Sequence, residues 1–530
     1  MVSKLLFLLP YFIIFTLSPL FFPSTAELLF PSSPICKAIP NHPFCRTSPI
    51  HYHHRRANIY ENGRLSIVNS IAATHKLMTL IDKYLQHSSS LKPGVILALQ
   101  DCHSLVSLNK DFLSTSLLAV NKTRTLSLVR ADDVQTLLSA ILTNTETCLD
   151  GLKELASSWF RLNNDISTLV AKDIKLYSLS LDLFIKGWIP EREIRPSEPP
   201  KNSSTPKGEI LYWEKFANVT VSKDGSRNFT TINDAVAAAP EKSETTSGYF
   251  VIYVLAGIYE EYISIPKNKQ YVMIVGDGIN QTVITGSHSV GDGWSTFNSS
   301  TLAVAGQGFV GVNITIRNTA GAAKQQAVAL RNSADLSTFY SCSFEGYQDT
   351  LYVHSLRQFY RDCDIYGTVD FIFGNSAAVL QNCNIYPRLP LAKQFNAITA
   401  QGRTDPNQNT GISIQNCKIR AADDLAASDG TTHTYLGRPW KEYSRTIYMH
   451  TFMDSLIHPD GWREWSGDFA LHTSYYAEFN NTGPGAGIGG RVTWPGFHII
   501  DSSDAANFTV NNFILGDQWI PKTGTPYIFQ

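Results

Sequence analysis

The sequence predicts two domains in series, an all-α helical bundle followed by an all-β solenoid of the parallel β-helix class. Three observations carry this. At 530 residues, 43% hydrophobic and 17% charged, the chain is too long for one ordinary domain and has the composition of a packed globular protein. From about residue 60 to 187 it is rich in Leu, Ala, Ser and Lys, nearly free of Gly, and repeats apolar positions three and four apart. After Ile210 it turns to β-branched residues, Asn and Gly, and one short pattern recurs.

The first element reads as a secretory signal peptide over 1–26: Lys4, an apolar run from Leu5 to Phe22, then Ser24-Thr25-Ala26 with small residues at the exit. A retained anchor is the rival reading, disfavoured by Pro10, Pro19 and that exit; no later segment is apolar for long enough to span a bilayer. Residues 27–189 form the helical region. Its clearest helix has Asp132 and Asp133 in the first turn and Val134, Leu137, Leu138, Ile141 and Leu142 on one face, and another runs from Asp165 to Ile185. Cys36 and Cys45 lie in a short Pro-containing segment, whereas Cys102 and Cys148 fall in separate helices. Pairings 36–45 and 102–148 are expected, with crossed pairings left open. Residues 190–207 turn to Pro, Ser, Glu and Arg, an exposed linker open to proteolysis.

Residues 208–530 make the solenoid. The recurring pattern is Val312-Asn-Ile-Thr-Ile316, Tyr340-Ser-Cys-Ser-Phe344, Arg361-Asp-Cys-Asp-Ile365, Gln381-Asn-Cys-Asn-Ile385 and Gln415-Asn-Cys-Lys-Ile419. Each copy alternates like a strand, and spacings of roughly 20 to 34 residues suit successive coils with inserted loops. The two-residue hairpin turns of an antiparallel sandwich are missing. Cys342, Cys363 and Cys383 then share one column, which allows a 342–363 bridge and leaves 383–417 as the other.

Chemistry concentrates in five segments: Gln326 to Arg331, Gly346 to Tyr352, Gly367 to Gly374, Gln401 to Asp405 and Leu436 to Trp440. Gln326 precedes Gln348, and Asp349 precedes Asp370, by one coil length, so the solenoid stacks two amides and two carboxylates. Asp370, between Val369 and Phe371-Ile372-Phe373, needs a cation to remain an anion, and the planar guanidinium of Arg438 suits it. So held, Asp370 is a nucleophile toward an ester carbonyl. Asp349, feeling that charge, keeps its proton and can give it to a leaving alcohol, then take one from water. Gln326 and Gln348 offer N–H donors to an oxyanion. Taken singly, each residue is more often a polar brace than a catalyst; the stacking is what raises the odds.

Gly346-Tyr-Gln-Asp-Thr-Leu-Tyr352, Asp370-Phe-Ile-Phe-Gly374 and Leu436-Gly-Arg-Pro-Trp440 resemble, in order, the signature segments of plant pectin methylesterases. The resemblance implies a right-handed β-helix and an esterase acting on methyl-esterified homogalacturonan, the methyl-esterified backbone of pectin, with no metal or other cofactor. It implies Asp370 as nucleophile, Asp349 as acid then base, Gln348 and Gln326 on the oxyanion, and Arg438 orienting Asp370 and binding substrate. Thr296 and Trp440 match sugar-contacting positions, with Tyr352 and Phe373 as aromatic cleft walls. Ile35-Cys-Lys, Phe44-Cys45, Leu99-Gln-Asp-Cys102 and Leu142 to Gly151 resemble pectin methylesterase inhibitor domains. That implies a disulfide-braced four-helix bundle which keeps the enzyme quiet until cleavage. The family's basic processing motif is not evident; Arg192-Glu-Ile-Arg195 is a partial substitute.

The net charge of −1 conceals 22 Lys and Arg against 29 Asp and Glu in 208–530, so an anionic polymer must be held there by local groups. Nine Asn-x-Ser/Thr triplets, at Asn121, Asn202, Asn218, Asn228, Asn280, Asn298, Asn313, Asn480 and Asn507, fit an extracellular glycoprotein, and the resemblance implies the cell wall. The expected partners are pectin and inhibitor proteins of the same helical family, with no nucleic acid, no membrane after signal removal, and a monomeric chain. Two rival functions are a pectate lyase-like β-helix, against which the Gln-Asp and Asp-Arg pattern argues, and a non-catalytic protein inhibiting other esterases.

Overall fold

A computed structural model describes residues 58–156, 160–190, 215–242 and 248–529. The expectations about residues 1–26, the Cys36–Cys45 pair and the linker beyond Pro190 lie outside the described residues. Four long helices come first: α1 (Ile59–Gln86), α2 (Pro93–Val120), α3 (Leu128–Ala156) and α4 (Phe160–Trp188). α1 starts at a reciprocal cap in which Asn58 and Glu61 satisfy each other's backbone N–H, and α2 starts with Pro93, whose missing N–H costs nothing there. α1 packs on α2 and α4, and α3 packs on the same two, which closes a four-helix bundle. Val134, Leu138, Ile141 and Leu142 are buried in it with Phe184 and Trp188. Cys102 and Cys148 are bridged between α2 and α3, as the sequence indicated. Among the described residues no helix is long and apolar enough to cross a membrane.

The solenoid follows as three parallel sheets of 11, 7 and 8 strands, the central coils giving a strand to each sheet. The recurring pattern forms one corner. Ser343 pairs with Thr315 and Asp364, and Asp364 with Asn384, so the inward residues Ile316, Phe344, Ile365, Ile385 and Ile419 stack into the core. The corner itself is made by Asn313, Ser341, Asp362, Asn382 and Asn416, all at positive φ between 52° and 59°. Asn and Asp tolerate that left-handed conformation best among residues with a side chain, which explains their place in every copy but one.

Cys342, Cys363 and Cys383 stand in the column expected, and Cys417 extends it, but all four are free buried thiols, so the 342–363 and 383–417 bridges are corrected. On adjacent rungs of a parallel ladder the Cα–Cβ bonds run side by side, about 4.8 Å apart. A disulfide needs its Cβ atoms about 3.8 Å apart with a near-perpendicular torsion. A second correction concerns Asp132 and Asp133. α3 begins at Leu128, so they lie beyond its first turn, and both instead meet Arg357 of the solenoid, at 3.1 and 2.8 Å.

Candidate active site

The seven-stranded sheet positions the site. Leu330 pairs with Leu351, Leu351 with Ile372, and Ile372 with Thr399, which puts Asp349 and Asp370 on successive rungs just before their strands. The Asp349 N–H donates to the Val369 carbonyl at 3.1 Å, fixing that stagger. Both aspartates have positive φ, 62° and 54°, a conformation that costs energy and aims the two side chains out of the sheet's corner. Arg438 follows the strand Thr434–Gly437, its N–H bonded to the Thr399 carbonyl at 3.0 Å. From there its guanidinium grips Asp370 with two parallel bonds, Nε to Oδ1 at 2.8 Å and NH2 to Oδ2 at 2.7 Å.

These groups line one cavity of about 250 Å³ with Gln326, Gln348, Thr296, Tyr352, Phe373 and Trp440. All the catalytic and substrate-binding candidates therefore come together, whereas the segment Gln401 to Asp405 does not line this cavity: Gln401 donates to Asn375 at 3.0 Å and Arg403 to the Gln408 carbonyl at 3.0 Å. Tyr352 stacks on Phe373 at 4.2 Å, and Trp440 meets Phe373 edge-on at 5.9 Å, forming an aromatic wall. Among the described residues the buried Gln326 Oε1 has no hydrogen-bond partner, so that oxygen is not spent on the fold.

Burial pushes Asp349 well above the usual carboxylate range, with the charges of Asp370 and then Glu154 adding to it and Arg438 opposing. Burial also raises Asp370, but the hydrogen bonds and charge of Arg438 pull it back. A fork of two N–H donors is matched by an ionised carboxylate. The arrangement thus offers one anion held as a base or nucleophile beside one neutral acid, the pairing that ester hydrolysis requires.

Sequence reasoning missed Trp465 and Phe395, which sandwich the Arg438 guanidinium at 4.2 and 5.3 Å from their ring centres. Neither sits in a recognisable motif, and only folding brings them to Arg438. It also missed the roof. Thr147, Asp150, Gly151 and Glu154 of α3 line the same cavity, and the Glu154 carboxylate accepts from both Thr296 N–H (3.1 Å) and Thr296 Oγ1 (2.9 Å). Lys441 holds Asp150 at 2.7 Å, Thr147 contacts His354 at 2.9 Å, and Asn375 donates to Thr143 at 2.9 Å. Gln408 reaches the Ser139 carbonyl at 2.8 Å and Asn409 the Thr136 hydroxyl at 2.9 Å. With Asp132 and Asp133 on Arg357, one polar face of α3 lies along the solenoid for most of its length. The sequence signal was available: Asp132, Thr136, Ser139, Thr143, Thr147, Asp150 and Glu154 recur at helical spacing, a stripe that reads equally as solvated.

Comparison with known proteins fits this geometry. The pectinesterase family model matches residues 218–517, and that of plant invertase/pectin methylesterase inhibitors matches 33–183. The chain is 53% identical to probable pectinesterase/pectinesterase inhibitor 41 of Arabidopsis thaliana, over 89% of this chain and 90% of that protein. It is 52% identical to pectinesterase 2 of Citrus sinensis over 74% of this chain and 75% of that protein. Among solved structures, pectin methylesterase from carrot superposes with a TM-score of 0.58 at 54% identity, covering 59% of this chain and 98% of the carrot chain. Deglycosylated pectin methylesterase from Aspergillus niger gives 0.50 at 32% identity, covering 57% and 95%. The chain therefore belongs to the pectinesterase family of carboxylic ester hydrolases, with a plant invertase/pectin methylesterase inhibitor domain ahead of the solenoid.

Proposed function

We propose that the solenoid removes methyl groups from homogalacturonan in the cell wall, after secretion, and that the helical domain holds it inactive by covering the cleft. The observation that carries the chemistry is the Asp370–Arg438 fork with Asp349 on the next rung. One Asp370 oxygen attacks the ester carbonyl carbon, and the carbonyl oxygen takes the negative charge, met by the Gln326 and Gln348 amides. Collapse breaks the bond to the methoxy oxygen, which receives the Asp349 proton and leaves as methanol. Asp370 is then joined to the galacturonyl group as an anhydride. Asp349, now a carboxylate, takes a proton from water; the oxygen of that water attacks the galacturonyl carbon, and the bond to Asp370 breaks. Asp370 is again an anion, Asp349 again an acid, and the sugar is left as a carboxylic acid.

The aromatic wall of Tyr352, Phe373 and Trp440, with the Thr296 hydroxyl in the same lining, supports a sugar-binding role. In the full chain the Glu154 carboxylate takes up both the Thr296 N–H and its hydroxyl, which supports autoinhibition by direct occlusion. Methanol release from esterified pectin, by the full chain and by residues 208–530 alone, tests both halves. The carrot chain, matched almost whole by 59% of this one, is of the solenoid's length, so the solenoid is expected to fold alone. Release from residues 208–530 and much less from the full chain is the expected result; no release from either refutes the chemistry, and equal release refutes the occlusion.

A further inference from the structure

A second cavity, of about 730 Å³, opens between the loops carrying Leu389–Phe395 and Ser428–His433, with Arg463 at its side. It is within the size range of small-molecule sites, and none of its lining residues belongs to the helical domain. Phe395 is the wall it shares with the catalytic arginine: Arg438 lies 5.3 Å and Arg463 4.3 Å from that ring. Among the described residues the Arg463 side chain makes one hydrogen bond, to the Tyr435 hydroxyl at 3.3 Å, and has no carboxylate partner. Lys393 likewise has no ion-pair partner among the described residues and is exposed at the rim. By contrast Arg357, Arg388, Arg438 and Arg491 are all paired with acids. The one acid in the lining, Asp429, accepts from the Thr431 N–H and hydroxyl at 3.1 and 2.8 Å.

An unpaired guanidinium and an ammonium around an aromatic face, in a domain whose overall charge is negative, form a local site for a carboxylate carried on a sugar ring. We propose that this cavity binds the free carboxylates of de-esterified galacturonan, and that it does so in the intact chain, which docks on its polymer while the catalytic pocket is still roofed. The inference rests on the galacturonan substrate proposed above. A methyl ester carries no charge for Arg463 or Lys393, so the site discriminates product from substrate.

The test is equilibrium binding of unesterified hexagalacturonate, its fully methyl-esterified counterpart and dextran sulfate to the full chain, where the roof limits access to the catalytic pocket. The unesterified oligomer is expected to bind at least about tenfold more tightly than the ester, and Arg463→Ala with Lys393→Ala to weaken it by about tenfold or more. Arg463→Lys, which keeps the charge and loses the fork, falls between. Lys393→Glu, at an exposed loop position, reads the same loss without risk to folding. Equal binding of the two oligomers, undiminished binding by Lys393→Glu, or dextran sulfate binding as tightly as hexagalacturonate would overturn the proposal. Methanol release by residues 208–530 is measured alongside. Its absence refutes the esterase mechanism, whereas release with no selective binding refutes this site alone.

Discussion

Removing the Arg438 guanidinium probes what holds Asp370 ionised. The Asp370 side chain is 8% exposed and that of Arg438 18%, so the pair is largely out of water. Breaking such a pair by deleting one partner costs about 3–5 kcal/mol when the remaining charge is left buried. Asp370 can escape most of that by taking up a proton, so its pKa rises. Burial already raises Asp370, and Arg438 opposes that rise, so its loss leaves burial unchecked. The nucleophile is the ionised form, so activity disappears as pH falls through the Asp370 pKa. A higher pKa therefore moves the acid limb of the pH profile upward. For Arg438→Ala in residues 208–530, methanol release is expected to fall about tenfold for each pH unit below the displaced acid limb, and to recover as pH is raised. Arg438→Lys retains the charge without the fork and should lie between. If kcat falls in Arg438→Ala while the acid limb stays where it was, Arg438 binds substrate without setting the ionisation of Asp370, and the reasoning fails.

Three further outcomes follow from the same geometry. Gln348→Ala should lower kcat about 10²–10³-fold with little change in KM, the signature of a donor used in the transition state; a change confined to KM would contradict it. Docking of the helical domain should weaken as pH rises, because burial raises Glu154 and Glu146 and pushes Asp101 up to about 6. The docked state binds more protons, so its stability is present at low pH and lost as pH climbs through those values; the activity of the full chain relative to residues 208–530 should increase over that range, and a flat ratio would refute the linkage. Cys148→Ser opens a bridge spanning 46 residues, a loop whose closure is worth about 4 kcal/mol in the chain-entropy account. Calorimetry of the full chain should show the helical transition lowered and the solenoid transition unmoved.

Much of this was legible in the residues. The Cys-centred pattern repeats because one corner of each coil must turn through a left-handed residue and then bury a thiol and an Ile or Phe. The same corner logic on another edge puts Asp349 and Asp370 at positive φ, and their separation of one coil already announced that they stack. A column of thiols suggests bridges by its spacing alone, yet the parallel Cβ directions of stacked rungs work against bridging. The polar stripe of α3 was invisible as an interface, since a row of Thr, Ser, Asp and Glu on a helix looks the same whether it faces water or another domain. Trp465 and Phe395 sit in loops whose course no local periodicity fixes, so their embrace of Arg438 emerges only from the folded chain.

Everything above depends on Asp370 being the attacking group. Asp370→Asn nearly preserves shape while removing the negative charge, and an amide can still accept one bond from Arg438. In residues 208–530 carrying this change, circular dichroism should match the parent and unfolding should stay cooperative though at a lower temperature, because the Arg438 charge loses its partner, while methanol release from esterified pectin should fall to the background rate. Methanol release within about tenfold of the parent, in a protein verified by mass, would contradict the two-aspartate mechanism.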